Sequence, residues 1–208
     1  MSFSKQVKNT LKVVVIGDAS VGKTSLLCRY TSGTFSGDYR TTVGADFISS
    51  KIDIDEKKYG LQVWDTAGQE RYQSIGAAFY RGSDCCLVVF DITNRKSFES
   101  VSNWMELFLN QGEIVRKENF PFVIIGNKCD RITEREVSRE EAESFCQKRG
   151  IGYFETSAKE GVGIAEAFEY VARKGVSMIE QDSIPKPATV TLTNNLKNKK
   201  ADKPDCQC

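Results

Sequence analysis

Eight consecutive residues, Gly17-Asp18-Ala19-Ser20-Val21-Gly22-Lys23-Thr24, match the spacing G-x-x-x-x-G-K-[ST]. They lie between an apolar run, Leu11 to Ile16, and a helical run from Thr24 to Tyr30, which is the context the pattern needs. In that setting loop N–H groups and a helix N-terminus converge on one anion. Lys23 can reach the β/γ-phosphates of a nucleotide, and the Thr24 hydroxyl can ligate Mg²⁺. A plain glycine-containing turn does not require all eight residues. The pattern therefore points to a nucleoside triphosphate without choosing the base.

A second signal is Val63-Trp64-Asp65-Thr66-Ala67-Gly68-Gln69-Glu70. Asp65 ends an apolar run, where a carboxylate can hold a water on Mg²⁺. An Asp in such a place is often only a turn former; Asp-x-x-Gly followed by Gln is more specific. A third, Asn127-Lys128-Cys129-Asp130, follows the apolar run Phe122 to Ile125. The Asp130 carboxylate can accept from guanine N1–H and N2–H₂, a donor pair that adenine lacks on that edge. A site built on a buried hydrogen-bonding group rejects the unmatched base by roughly 10⁴ to 10⁵. Thr156-Ser157-Ala158-Lys159, after the short run Tyr153 to Glu155, offers the Ala158 N–H to guanine O6.

These pieces need a scaffold that brings several strand ends together. Leu11 to Ile16, Cys85 to Phe90 and Phe122 to Ile125 read as strands buried on both faces, the habit of a parallel sheet. Ile52 and Ile54 alternate with charged residues, and Glu56-Lys57 precedes Leu61 and Val63, so this pair reads as an antiparallel hairpin with a wetter edge. Phe98, Val101, Met105 and Phe108 form one helical stripe, and Ile164, Phe168, Val171 and Ala172 another. Ser138 with Glu141 reads as a capping box opening a third helix through Ala142, Phe145 and Cys146. The alternation predicts an α/β fold: a doubly wound sheet with the ligand at the carboxyl ends of its strands.

The chain has 208 residues, 40% of them apolar, enough for one domain with a sizeable core. It has no His, which excludes Ser/His/Asp and Cys/His catalysis and any His-ligated metal. A net charge of +1 speaks against nucleic acid as a partner. The seven Cys form no C-x-x-C pair, which fits a reducing compartment, and Cys85 and Cys86 read as strand filler. No apolar run reaches the length of a membrane span, the first ten residues are polar, and Ser2 excludes N-myristoylation. Five Lys, two Asp and three of the four Pro lie from Ser183 onward, giving the tail net +3 and the remainder net −2. The reading is a folded domain over 1–182 and a disordered, mildly basic tail over 183–208.

Taken together the motifs resemble the Ras-like small GTPases and, within them, the Rab family. Val43-Gly44-Ala45-Asp46-Phe47, Leu61-Gln62-Val63-Trp64, Arg71-Tyr72-Gln73-Ser74-Ile75, Phe79-Tyr80-Arg81-Gly82 and Phe90-Asp91-Ile92-Thr93 carry the Rab likeness. It runs from about Leu11 to Ile179. Gly44 to Phe47, Tyr80 to Cys86, Glu118 to Ile124 and Tyr153 to Lys159 look most like the late-endosomal and vacuolar branch, Rab seven.

The resemblance implies a P-loop GTPase fold: a mostly parallel six-stranded sheet with one antiparallel edge strand and about five helices. It implies Mg²⁺ as cofactor, a cycle between GTP and GDP, and nucleotide contacts from Ser20, Val21, Gly22, Lys23, Thr24, Ser25, Asn127, Lys128, Asp130, Ser157, Ala158 and Lys159. Thr42 would reach Mg²⁺ and the γ-phosphate, as Thr24 and Asp65 serve the metal, and the Gly68 N–H would meet the same phosphate. Gln69 would orient the attacking water. Phe35 would pack on the guanine and Tyr39 would lie over the phosphates. Phe47, Trp64 and Phe79 match the aromatic triad that Rabs present to effectors, although Trp64 and Phe79 also fit plain core packing.

Expected partners are an exchange factor, an activating protein, a GDP-dissociation inhibitor, a Rab escort protein and effectors, with the chain itself a monomer. Cys206 and Cys208 resemble the Rab signal for double geranylgeranylation. That implies cycling between cytosol and the cytoplasmic face of late endosomal, lysosomal or vacuolar membranes. One departure stands out: Ala19 and Ser20 occupy positions where many Ras-like proteins have two glycines and this branch commonly has Ser-Gly. The Ala19 methyl lies near the space a partner's catalytic side chain needs: intrinsic nucleotide binding should survive, hydrolysis should be slow alone and stimulated by an activating protein, and the effect of Ala19 and Ser20 on that stimulation is left open by the sequence. Two other classes remain open from the residues alone, a P-loop kinase and a GTP-bound scaffold that scarcely hydrolyses.

Overall fold

In the computed structural model residues 9–37, 42, 44–68, 78–115 and 117–183 are described. Tyr39, Gln69, Val43, residues 71–75, the tail beyond Ser183, and Cys206 and Cys208 with it, lie outside the described residues.

Six strands, β1 (Thr10–Ile16), β2 (Ala45–Ile54), β3 (Lys57–Thr66), β4 (Cys85–Asp91), β5 (Phe122–Asn127) and β6 (Gly152–Thr156), form one sheet in the order β2-β3-β1-β4-β5-β6. All neighbours run parallel except β2, which pairs antiparallel with β3 at the edge. Five α-helices accompany it among the described residues: α1 (Lys23–Ser32), α2 (Arg95–Glu99), α3 (Val101–Gln111), α4 (Arg139–Gln147) and α5 (Ile164–Ser183). The mostly parallel, doubly wound sheet read from the sequence is the one that forms.

Every residue of β4 and β5 is buried, because helices cover both faces of the sheet. Strand periodicity divides β1 between two cores. Val13 and Val15 face Leu26 and Leu27 of α1 and Phe168, Val171 and Ala172 of α5. Val14 and Ile16 face the side that holds Phe98 of α2, Val101 and Phe108 of α3, and Ala142 and Cys146 of α4. Cys85 packs in the first of these cores and Cys86 in the second, as the strand filler read from the sequence. Phe168 is fully buried and stacks on Tyr30 at 4.0 Å; Phe168→Ala would cost about 3 to 5 kcal/mol.

Three local features differ from the sequence reading. The hairpin turn is Asp55-Glu56, one residue earlier than Glu56-Lys57, since Lys57 already pairs with Ile54. Both turn residues have positive φ, 49° and 63°, the type I′ geometry that matches strand twist. The stripe from Phe98 to Phe108 is divided at Ser100, which ends α2 and opens α3. Only half of the capping box forms: Ser138 Oγ accepts from Glu141 N at 3.1 Å, while the Glu141 carboxylate takes a 2.9 Å bond from Arg95 Nη1.

Candidate functional site

The carboxyl ends of β1, β3, β5 and β6 and the N-terminus of α1 meet in one region, where the strand order turns outward from β1. The loop between β1 and α1 closes on Gly22, whose φ is 95° and where a Cβ would stand 2.5 Å from Asn127 Nδ2. Only glycine allows that approach. Asn127 is 1% exposed and its amide is engaged within the protein. Nδ2 donates to Val21 O at 2.8 Å and Oδ1 accepts from Thr156 Oγ1 at 3.1 Å. Lys128 Nζ donates to Ser20 O at 2.8 Å and pairs with Asp91 Oδ2 at 2.7 Å. The last residue of β5 and the one after it thus hold the first loop in shape from the side.

Lys23 Nζ is folded back into this loop, donating to Gly17 O and Asp18 O at 2.8 Å each. Burial pushes its ammonium down to about 8, against the pull of Asp65 and Asp18. Burial likewise pushes the Asp65 carboxyl up, opposed by the Thr24 hydroxyl and by Lys23. Thr24 Oγ1 lies 2.8 Å from Thr42 Oγ1 and donates to Asp65 Oδ2 at 2.5 Å. Asp65 Oδ1 is buried with no hydrogen-bond partner among the described residues. Gly68 follows closely: a Cβ there would stand 2.4 Å from Asp18 O and 2.5 Å from Lys23 Nζ. One carboxylate and two hydroxyls, beside an ammonium, suit a hard cation that takes its other ligands from water and phosphate. The described residues hold no cluster of three His, Cys, Asp or Glu side chains that would suit a softer metal.

Beside this oxygen cluster lies a cavity of about 410 Å³ lined by Gly22, Ser25, Phe35, Asn127, Lys128, Asp130, Ala158 and Lys159, with Arg131 and Glu134 at its edge. Asp130 Oδ1 accepts from Ser157 Oγ at 2.6 Å, and Ser157 Oγ also accepts from Glu160 N at 3.0 Å. The third patch lies on the sheet edge. Phe47 packs on Trp64 at 5.1 Å between ring centres, and Trp64 on Phe79 at 5.3 Å. Phe47 is 47% exposed, whereas Trp64 and Phe79 lean on the α3 core. The Trp64 indole N–H is buried without a partner among the described residues.

A family profile described as "Ras family" matches residues 12–177. The chain is 46% identical to "Ras-related protein Rab-7a" of Paramecium octaurelia over 205 residues, covering 98% of this chain and all of that protein. It is 45% identical to "Ypt/Rab-type GTPase ypt7" of Schizosaccharomyces pombe, over 97% of this chain and 98% of that one. Against "Ras-related protein Rab7" of Pisum sativum the identity is 44% at the same coverage. The chain is a Rab7-like member of the Ras family.

As a member of this family it is a GTP hydrolase and binds guanine nucleotide. Several residues at the site of this GTPase gave no signal in the sequence. Asp91 belongs to a segment that carries the Rab likeness, and its carboxylate holds Lys128. Arg131 and Glu134 form an ion pair at the cavity's edge. Arg29 reaches the Ala158–Lys159 backbone from α1, and Trp104 reaches Asp18 from α3. Asp91, Arg29 and Trp104 act across a distance in sequence, and no local spacing announces them.

Proposed function

We propose that this Rab-type GTPase is a nucleotide-controlled switch of endosomal or vacuolar membrane traffic, with the site residues in the roles that the family resemblance implies. The meeting of Thr24, Thr42 and Asp65 oxygens beside Lys23 and Gly68 supports this reading most directly. Lys23 and the N–H groups of Ser20, Val21, Gly22, Thr24 and Ser25 cradle the phosphates. Thr24 and Thr42 offer hydroxyls to Mg²⁺, and Asp65 holds them and a water in place. When bound, Mg²⁺ neutralises charge on the β- and γ-phosphate oxygens. Gly68 N–H meets the γ-phosphate and Gln69 orients the attacking water. Asp130 reads guanine N1 and N2, Ala158 N–H meets O6, Phe35 lies against the base, and Tyr39 lies over the phosphates. The base itself covers Asp130, which completes the buried pairing that selectivity requires.

Hydrolysis removes the phosphate that the segments around Thr42 and Gly68 grip, and both are released. Phe47, Trp64 and Phe79 lie between those segments and form the effector surface that their release alters. An exchange factor and an activating protein drive the cycle. A GDP-dissociation inhibitor and an escort protein handle the tail over 183–208, lipidated at Cys206 and Cys208. No helix among the described residues is long and apolar enough to cross a membrane, so attachment at late endosomes, lysosomes or vacuoles rests on that tail.

The test is a single turnover of labelled GTP by the full-length protein. Label released to water, slowed at least tenfold in Gln69→Leu with GTP binding retained, is the expected result. Transfer to an acceptor would make the protein a kinase, and no release at all would make it a scaffold.

A further inference from the structure

Arg29 sits in the last turn of α1 and directs its guanidinium at the loop after β6. Nε donates to Ala158 O at 2.8 Å and Nη2 donates to Lys159 O. The remaining arm, Nη1, donates to Gly33 O at 2.7 Å, at the left-handed end of the same helix. Two successive carbonyls 129 and 130 residues away are thus held by one planar fork. On the other flank of Ala158, Gly161 N and Val162 N donate to Ser157 O at 2.8 and 3.2 Å. The Ala158 N–H shares a peptide plane with Ser157 O and points away from it, so the two bonds to that carbonyl fix the plane. Arg29 fixes the next two peptide units, and with them the Ala158 backbone angles through which that plane joins the rest of the loop.

We propose that Arg29 is a positioning residue for guanine recognition: it aims the Ala158 N–H at the base's O6 by holding the Ala158 and Lys159 carbonyls. The inference rests on the proposed contact between Ala158 and O6. It assigns selectivity to a helix whose N-terminal end carries Lys23 and Thr24. A bent or displaced donor loses most of a hydrogen bond's worth, so the base contact depends on this distant side chain. Lys at position 29 supplies a single point donor and holds one carbonyl at most.

Dissociation constants of the full-length protein for GDP, inosine diphosphate and 6-thioguanosine diphosphate separate the contributions. Inosine lacks the N2 group that Asp130 reads, and sulfur at position 6 is a poor acceptor. The wild type should bind GDP about tenfold more tightly than either analogue. Arg29→Gln should weaken GDP about tenfold, leave 6-thioguanosine diphosphate within about twofold, and keep the preference for GDP over inosine diphosphate. Arg29→Lys should fall between the two, and it carries the comparison if the Gln variant does not fold. An equal loss for all three ligands in either variant would make Arg29 a support of the fold alone and overturn the proposal. Undiminished selection against the thio analogue would overturn it too. A wild type that does not distinguish GDP from the thio analogue would instead refute the contact between Ala158 and O6, and the proposal with it.

Discussion

Trp104 Nε1, on α3, donates a 2.7 Å hydrogen bond to Asp18 Oδ1 in the loop between β1 and α1. The same Asp18 accepts from Lys23 Nζ through its carbonyl, and Gly68 lies against that carbonyl too closely for any side chain. A helix of the outer layer is thereby tied to the loop that faces the phosphates. Trp104 is 7% exposed, so its ring is core while its N–H serves the site.

Trp104→Phe keeps most of the packing and removes the donor. A hydrogen bond to a charged acceptor contributes about 1.5 to 3 kcal/mol. Because solvent can partly replace this one, nucleotide affinity should fall about fivefold, with a drop of a few degrees in melting temperature. Titration with GDP in an Asp18→Ala background checks the route. There Trp104→Phe should have no further effect, and a full additive loss would mean that the indole acts elsewhere.

What was legible in the sequence follows from how local each determinant is. The loop from Gly17 to Thr24 announces itself because one short segment must supply a turn, a close approach and a helix start. β4 and β5 are readable because a strand covered on both faces must be apolar throughout. Asp91, Arg29 and Trp104 were not readable as site residues. Each is a common residue type whose partner is 37, 129 or 86 positions away, set by the crossing of elements and not by spacing. The halved capping box has the same origin: Arg95, from another helix, competes for the Glu141 carboxylate that a purely local rule assigned to Ser138.

Asp130 bears directly on base choice. Its Oδ1 is held by the Ser157 hydroxyl. Asp130→Asn can keep that bond through its amide oxygen and present an N–H₂ where a carboxylate oxygen stood. GTP should then weaken by about 10² or more, and xanthosine triphosphate, with an oxygen at C2, should become the better ligand. Competition between the two nucleotides measures it; a variant that still prefers GTP would remove Asp130 from the base site.

Ala19 is exposed at the mouth of the loop, next to Ser20, which holds a left-handed φ of 63° and gives its carbonyl to Lys128. The loop therefore keeps its shape without glycine at either position. Ala19→Gly should leave nucleotide affinity within about twofold while removing a methyl from the approach of an activating protein. Such proteins contribute about 10³ to 10⁵ in rate, so stimulated hydrolysis should rise or hold. A marked fall on adding glycine would show that Ala19 is no obstruction.

Glu155 of β6 receives both arms of Arg135, at 2.7 and 3.0 Å, and the Tyr153 hydroxyl at 3.1 Å. This binds the segment after Asp130 to the sheet. Burial pushes the Glu155 carboxyl up, but the Arg135 bonds and charge outweigh it and leave the group below its ordinary 4.5. A depressed carboxylate stabilises the fold above its unfolded value, and that stability is lost as pH falls through the folded value. Glu155→Gln should cost about 2 kcal/mol at pH 7, and the gap should narrow below pH 4.5. Urea melts of both proteins across that range decide it; a gap that widens on acidification would sink the assignment.

The end of the chain, Asp205-Cys206-Gln207-Cys208, offers two thiols with one residue between them. A disulfide across so short a loop is strained, and two Cys alone do not complete a zinc site. Two prenyl chains instead give stable anchorage where one gives only marginal binding. Lys197, Lys199, Lys200 and Lys203 can each add about 1 kcal/mol near an anionic leaflet. Replacing both Cys206 and Cys208 by Ser should shift the protein from the membrane to the soluble fraction of cells. GDP affinity should not change, because α5, the last element among the described residues, closes at Ser183, more than twenty residues before the first of these thiols. Mass spectrometry of membrane-bound protein should find both thiols lipidated; unmodified thiols there would rule out this anchor.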